Sequence, residues 1–201
     1  MTKVVTQVTI LAMGDLRVVV CGGGPAAGVV GLIKEATARG WSVDVTATES
    51  ALAFFDASEV RRASGNPVRT TYKFAADGRR ISPAADALIV APATYNTINK
   101  LALGIADTYP LSSIAEVIGR GVPTVVVPAV NTALAARRPF RHALAELRAE
   151  GVRVLFGPED DWEPLPPGRN DPRRFPWLRA LDLAEEAFGL TTVDSRVPMR
   201  S

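Results

Sequence analysis

The sequence predicts a single-domain α/β protein: a doubly wound parallel sheet covered on both faces, in a three-layer sandwich of the Rossmann-like or flavodoxin-like kind, followed by an irregular C-terminal extension. Three observations carry this. Short continuous apolar runs, LRVVVC from Leu16, LIVA from Leu88 and VPTVVV from Val122, have the β-branched content of strands buried on both faces. The segments between strands read as helices and are long enough for the right-handed crossovers that join parallel strands. Polar or glycine-rich loops follow three of the strand ends, where open α/β sheets hold their ligands.

Taken in order, the strand Leu16 to Cys21 runs into GGGPAAG and then a helix over Ala26 to Arg39, stopped by Gly40. Trp41 to Thr46 alternates as a second strand and completes a β-α-β unit. Ser50 to Arg62 is helical in character, SGNP supplies a turn, and Val68 to Tyr72 is a short extended piece before a polar loop, Lys73 to Pro83. After the strand Leu88 to Ala91 come helices over about Asn96 to Leu103 and Leu111 to Arg120, then the strand Val122 to Val127. A loop, PAVNTALAARRPF, a helix from Pro139 to Glu150 and a short strand, Val152 to Phe156, close the domain.

Residues 1–15 read as a flexible leader, with Met13 an alternative start; one basic flank, Lys3, and no small-residue cleavage site argue against a secretory signal. The domain proper is 16–158. In the extension, 159–201, the stretch EDDWEPLPPGRNDPRRFPWLR is aperiodic and rich in proline, arginine and aspartate, a texture compatible with disorder. Trp162, Phe175 and Trp177 argue instead for docking, since three large aromatics are unexpected in a solvated tail, and a short helix over Leu178 to Phe188 follows.

Composition narrows the function. A chain of 201 residues with 47% hydrophobic and 22% charged residues can bury a sizeable core, and no window approaches the ~18 continuous apolar residues of a membrane span. A cytoplasmic protein with no membrane partner is expected. The net charge of +2 provides no field for nucleic acid. One cysteine, Cys21, and one histidine, His142, exclude an internal disulfide and a Cys/His zinc site.

The three strand-end loops are the candidate site. The turn Gly22, Gly23, Gly24, Pro25, Ala26 offers unencumbered backbone N–H groups beside a helix N-terminus, a natural seat for phosphate, and fits the loose dinucleotide pattern; its alternative is a tight turn and nothing more. After the second strand, Glu49 suits a ribose and the hydroxyls of Thr48 and Ser50 suit a terminal phosphate, while Ser50 is equally a helix cap, the better reading on residue type alone. In the third loop Thr94, Asn96 and Thr97 suit hydrogen bonds to a heterocycle, or a capped helix start.

Together these loops carry a resemblance. PATYNTINKLALGIAD, Pro92 to Asp107, resembles the PASANT-type segment of the homo-oligomeric flavin-containing cysteine decarboxylases, the family of phosphopantothenoylcysteine decarboxylase and the lanthipeptide cysteine decarboxylases. SGNPV lies upstream at the corresponding place, PAVNTALAARRPF stands where the family has PxMNxxMW, and ALAELRAEGVRVLFGP resembles the family segment downstream of it, so that the likeness spans about Leu16 to Pro158. It implies bound FMN: the phosphate on the Gly22–Ala26 turn with Thr48 and Ser50, the flavin and ribityl chain along Ala91, Pro92, Ala93, Thr94, Asn96 and Thr97, and a substrate carboxylate on Asn131. It also implies a homo-oligomer, a trimer or a dodecamer built from trimers, acting on a small-molecule or peptidyl-cysteine substrate.

Several family features are replaced. The family's active-site histidine would fall near Gly78, in AADGRRISPAAD, which contains no histidine; His142 lies on a different helix and reads as a surface or interface residue. Arg79 or Arg80 suits an electrostatic role there, against the simpler reading of a solvated arginine pair. Around Asn131 the family's methionines and tryptophan become Val130, Leu134 and Ala135, which reshapes the pocket floor. Cys21 reads as a small buried residue rather than a nucleophile. The expected function is therefore an FMN-dependent decarboxylase or oxidoreductase acting on a small thiol- or carboxylate-bearing substrate. The alternatives are a non-decarboxylating regulatory or partner subunit, a flavin prenyltransferase and an NAD-binding enzyme.

Overall fold

A computed structural model of the chain describes residues 12–82 and 84–194. Residues 1–11 of the expected leader, and Pro83, lie outside the described residues. Five parallel strands form the central sheet: β1 (Gly14–Val20), β2 (Trp41–Ala47), β5 (Ala87–Ala93), β6 (Thr124–Pro128) and β7 (Arg153–Val154), in the order β2-β1-β5-β6-β7. From β1 the chain winds outward to β2, then returns across β1 to lay down β5, β6 and β7. The loops after β1 and β5 therefore leave in opposite directions, and a crevice opens between them at the carboxyl ends of the strands.

Side chains alternate across β1 and divide the core. Leu16, Val18 and Val20 face α1 (Val29–Ala38) and the C-terminal helix α7 (Trp177–Asp194). Val19 and Cys21 face α3 (Tyr95–Ala102), α4 (Tyr109–Gly119) and α6 (Arg138–Ala149). Two further helices flank these layers, α2 (Ala57–Ser64) after β2 and the single turn α5 (Thr132–Ala135) after β6. Arg17 shares the α4 side of β1, fully buried, and its Nη1 donates to Ser113 Oγ on α4 at 2.8 Å. Burial pushes this guanidinium down from its ordinary value, while Tyr109, Asp44 and Glu116 oppose the shift. The bond ties the N-terminal half of α4 to β1, immediately below the crevice.

Several expectations are corrected. The strand begins at Gly14, inside the expected leader. Ser50 to Arg62 is not one helix: a 3-10 turn, Glu49–Ala53, precedes α2, and α2 is capped by Asp56, which accepts from Ser58 N at 2.8 Å. Ser50 thus lies within a turn and caps nothing. The polar loop from Lys73 contains an antiparallel hairpin, β3 (Lys73–Phe74) with β4 (Arg80–Ile81), turned at Asp77-Gly78, where Gly78 has φ +79°. Asp-Gly is a strong hairpin signal, but strands of two residues are too short to display alternation. Finally, the C-terminal helix is long rather than short, starting at Trp177 and reaching Asp194.

The extension docks on the domain from which it emerges. Trp162, Phe175 and Trp177 form a chain of aromatic contacts with centroids 5.1 and 4.9 Å apart, and the Trp162 indole donates to Pro128 O at 2.7 Å. Further along, Arg39 at the end of α1 receives Asp182 and Glu185 of α7 at 2.7 and 2.9 Å. The disorder-compatible composition of 159–176 is overridden by aromatic burial, which anchors a segment that has little regular structure.

Candidate functional site

A cleft of about 500 Å³ opens beyond the carboxyl ends of β1, β2 and β5. Its floor includes Cys21 and Thr97; Thr48, Glu49 and Ser50 form one wall, and Thr94 and Asn96 another. Five of the residues expected from sequence, Thr48, Ser50, Thr94, Asn96 and Thr97, are thereby brought together. The reason is topological: in a parallel sheet every strand-to-helix loop emerges at the same edge, so segments remote in sequence converge.

The glycine turn lies beside this cleft. Gly24–Gly28 forms a 3-10 turn, closed by Ala26 N donating to Gly23 O at 2.9 Å, and the α-helix starts only at Val29. Among the described residues, the amide N–H groups of Gly22, Gly23 and Gly24 meet no protein acceptor. Three consecutive donors without partners are available to an anion at this strand end, the middle one on an extended residue, Gly23, with φ −163° and ψ 155°. A Cβ at Gly22 would lie 2.6 Å from Ser50 Oγ, so the absence of a side chain is what lets the hydroxyl loop approach the turn. That hydroxyl is 3.1 Å from Thr48 Oγ1, which places two hydroxyls against the turn.

At the opposite wall Thr94 caps α3, accepting from Thr97 N at 3.3 Å, and the two hydroxyls are 3.0 Å apart. Capping and lining are both realised here. The Thr97 hydroxyl also donates to Cys21 Sγ at 3.3 Å. Burial pushes the Cys21 thiol up from its ordinary value, opposed by hydrogen bonds from Thr97 and the Thr94 backbone, which disfavours the thiolate.

Other expected residues sit elsewhere. Ala26, Ala91 and Ala93 are fully buried in the core and Pro92 is buried beside them, so their side chains shape the strand ends from behind the cleft. Pro92 contributes its carbonyl, which accepts from Cys21 N at 3.1 Å, and the β5–β6 register shifts between Val90 and Ala93. Gly23, Gly24, Pro25 and Asn131 line a second, smaller chamber of about 220 Å³ on the other side of the turn, walled by the extension. Asn131 caps α5 there, its Oδ1 accepting from Leu134 N at 3.0 Å. His142 lies on the exposed face of α6 beside Arg138 and lines neither cavity.

The two arginines of the hairpin have different fates. Arg79 is solvated, its side chain 81% exposed. Arg80 is held: its Nη2 is 2.7 Å from Glu116, and its guanidinium lies 4.7 Å above the Tyr72 ring. Tyr72 in turn meets Tyr109 edge-on at 4.9 Å, and both tyrosines line the cleft. These two, together with Thr70, Thr71, Lys100 and Thr108, are site residues that the sequence reading missed. One signal was available for Tyr109, because a helix crossing back in a parallel sheet points its N-terminus at the strands' carboxyl ends.

A family model described as Flavoprotein matches residues 13–166. The chain belongs to this family. Among curated relatives, the coenzyme A biosynthesis bifunctional protein CoaBC of Mycolicibacterium smegmatis is 33% identical over 139 residues, 68% of this chain and 33% of that protein. The CoaBC of Thermococcus kodakarensis is 27% identical over 158 residues, 76% of this chain and 37% of that protein. The flavoprotein chain therefore spans about a third of the length of these relatives. Among solved structures, the FMN-dependent cysteine decarboxylase TvaF of thioviridamide biosynthesis superposes with a TM-score of 0.66 at 22% identity, covering 87% of this chain and 98% of that one. A point mutant of PPC decarboxylase complexed with pantothenoylaminoethenethiol gives 0.59 at 21%, covering 71% and 81%. At such identities the likeness establishes the fold, an open parallel sheet with helices on both sides. No helix among the described residues is long and apolar enough to cross a membrane.

Proposed function

We propose that this flavoprotein binds FMN in the cleft and uses it to decarboxylate or oxidise a small thiol- or carboxylate-bearing substrate. The carrying observation is the row of unpartnered N–H groups at Gly22, Gly23 and Gly24 on the turn packed against Ser50, whose hydroxyl and that of Thr48 line a cleft large enough for a tricyclic ring. The phosphate would be held there by charge-assisted hydrogen bonds. Thr94, Asn96 and Thr97 would follow the ring and its side chain, and Cys21, neutral and buried, keeps the floor apolar beneath it. A bound flavin supplies the two-electron acceptor that such chemistry requires. Asn131, whose Oδ1 is turned toward α5 by the bond from Leu134 N, keeps both Nδ2 hydrogens to donate and is suited to hold a substrate carboxylate.

A second reading, a flavin-binding member that does not decarboxylate, is favoured by one observation: neither cavity is lined by histidine, and Gly78, near the position where the resemblance implies one, is the exposed tip of a hairpin. Purified protein is expected to be yellow, to release FMN on denaturation, and to liberate carbon dioxide from a cysteine-bearing substrate. Yellow protein that releases no carbon dioxide from free cysteine, cysteine-terminated peptides or phosphopantothenoylcysteine selects the second reading. Colourless protein that takes up no added FMN rejects both.

As a homo-oligomer, the protein would have a use for apolar side chains that the single chain leaves in water. Phe74 on the hairpin is 63% exposed and Leu103 after α3 is 74% exposed.

A further inference from the structure

The lining of the larger cleft divides by chemistry. Most of it is polar: the threonine, serine and asparagine groups already described, Glu49, and Lys100, whose Nζ is held by Asp107 at 2.6 Å. Its apolar side chains, Cys21 on the floor apart, come from two places. Tyr109, Pro110 and Leu111 open α4, and Ile114, one turn further on, shares a helix face with Pro110 and Leu111. Tyr72 joins them from the chain leading into β3, its ring centroid 4.9 Å from that of Tyr109 and its plane inclined at 70°. Two rings so inclined make a corner. A flat ligand set into it can lie face-on to one ring and edge-on to the other, arrangements that the charge distribution of aromatic rings favours. Arg80 holds Tyr72 in this corner: its guanidinium lies 4.7 Å above the Tyr72 ring, and its Nη2 meets Glu116 at 2.7 Å. Glu116 belongs to α4, the helix that also supplies Tyr109, so one cation ties the support of both rings together.

We propose that the Tyr72–Tyr109 corner, set by Arg80, is the wall against which the tricyclic ring of the flavin lies. The inference rests on the reading that places FMN in this cleft, and it adds which residues of the chain the ring touches. The chemistry of the lining selects the corner. A tricyclic ring has broad apolar faces, and laying them over hydroxyls, an amide or a paired lysine would take polar groups out of water without giving them partners. The tyrosines offer aromatic surface instead. Tyr109 is 7% exposed and Tyr72 is 39% exposed, so Tyr72 in particular has ring surface left for a ligand to cover. Arg80 does not line the cleft and acts through Tyr72, which makes it a positioning residue. The hairpin that carries it is thereby part of the flavin site, although its strands have only two residues each.

The test is the fluorescence of FMN bound to the full chain. A photoexcited flavin takes one electron from a phenol in contact with it and hands it back within the complex, so emission is lost with no net reaction; a phenylalanine ring, much harder to oxidise, does not donate. Bound FMN is therefore expected to emit far less than free FMN. Tyr72→Phe and Tyr109→Phe keep both rings and should each restore part of the emission with FMN affinity unchanged, and the double substitution should restore most of it. Arg17 keeps its bond to Ser113 in Tyr109→Phe, so the fold should hold. Tyr72→Leu, which removes a ring contact, should weaken FMN binding about fivefold. Arg80→Gln should brighten the bound flavin although both tyrosines remain, a signature that a purely stabilising role would not produce. Emission in the double phenylalanine variant as weak as in the parent would overturn the proposal while FMN binding stands. Trp162 lines the smaller chamber, so brightening by Trp162→Phe and by neither tyrosine substitution would overturn it by placing the ring there. A chain that takes up no FMN would overturn the proposal together with the reading beneath it, and the absorbance spectrum recorded before emission is read tells these cases apart.

Discussion

Gly22→Ala is expected to yield a folded protein with FMN affinity weakened about 100-fold, on the order of 2.7 kcal/mol. The new Cβ would lie 2.6 Å from Ser50 Oγ and 3.0 Å from the Ser50 backbone carbon. A hydroxyl can rotate away, but a backbone carbon cannot, so the 3-10 turn at Glu49–Ala53 must move outward with it. Two parts of the phosphate seat then separate: the free N–H groups on one loop and the Thr48–Ser50 hydroxyl pair on the other. Overpacking of this kind costs about 1–3 kcal/mol of stability, which a domain of this size tolerates. A fluorescence titration with FMN, alongside a melting curve of the flavin-free protein, checks both halves. Unchanged affinity would mean that the two loops do not share a ligand.

The second large effect concerns the extension. Trp177→Ala is expected to destabilise the protein by about 3–5 kcal/mol and lower its melting temperature by roughly 10 °C. Trp177 is 8% exposed, contacts Phe175 at 4.9 Å and lies against Gly28, where any side chain would collide with the indole. Removing the ring breaks the aromatic chain at the residue that begins α7, so the irregular segment before it should also become sensitive to protease. Arg39 would still hold Asp182 and Glu185, which is why α7 should remain attached. A melting temperature within a degree of the parent would contradict the view that aromatic burial, and not the ion pairs, fastens this segment.

The layered sheet was legible because its strands are continuous apolar runs: Leu16 to Cys21, Leu88 to Ala91 and Val122 to Val127 each overlap an observed strand. Burial on both faces leaves little else those segments could be. Thr48, Ser50, Thr94, Asn96 and Thr97 were legible for a related reason, since a parallel sheet gathers its strand-end loops. What stayed hidden depends on packing between distant segments. Tyr72 and Tyr109 meet only because the hairpin folds against α4, and two-residue strands give no periodic signal. Arg80 looked like one of a solvated pair, and only Glu116, 36 positions away, distinguishes it from Arg79. The glycine turn appeared as one element, yet it stands between two cavities, Gly22 against Ser50 and Gly24 against Asn170 of the extension. That division depends on where the aperiodic extension docks, which its composition does not encode.

The central claim is that the glycine turn and the Thr48–Ser50 pair hold a phosphate at the end of a flavin cleft. The most direct measurement compares the affinities of the flavin-free protein for FMN and for riboflavin, which differ by that phosphate alone. Several hydrogen bonds to a charged group predict FMN binding at least about 100-fold the tighter of the two. Equal affinities would contradict the account.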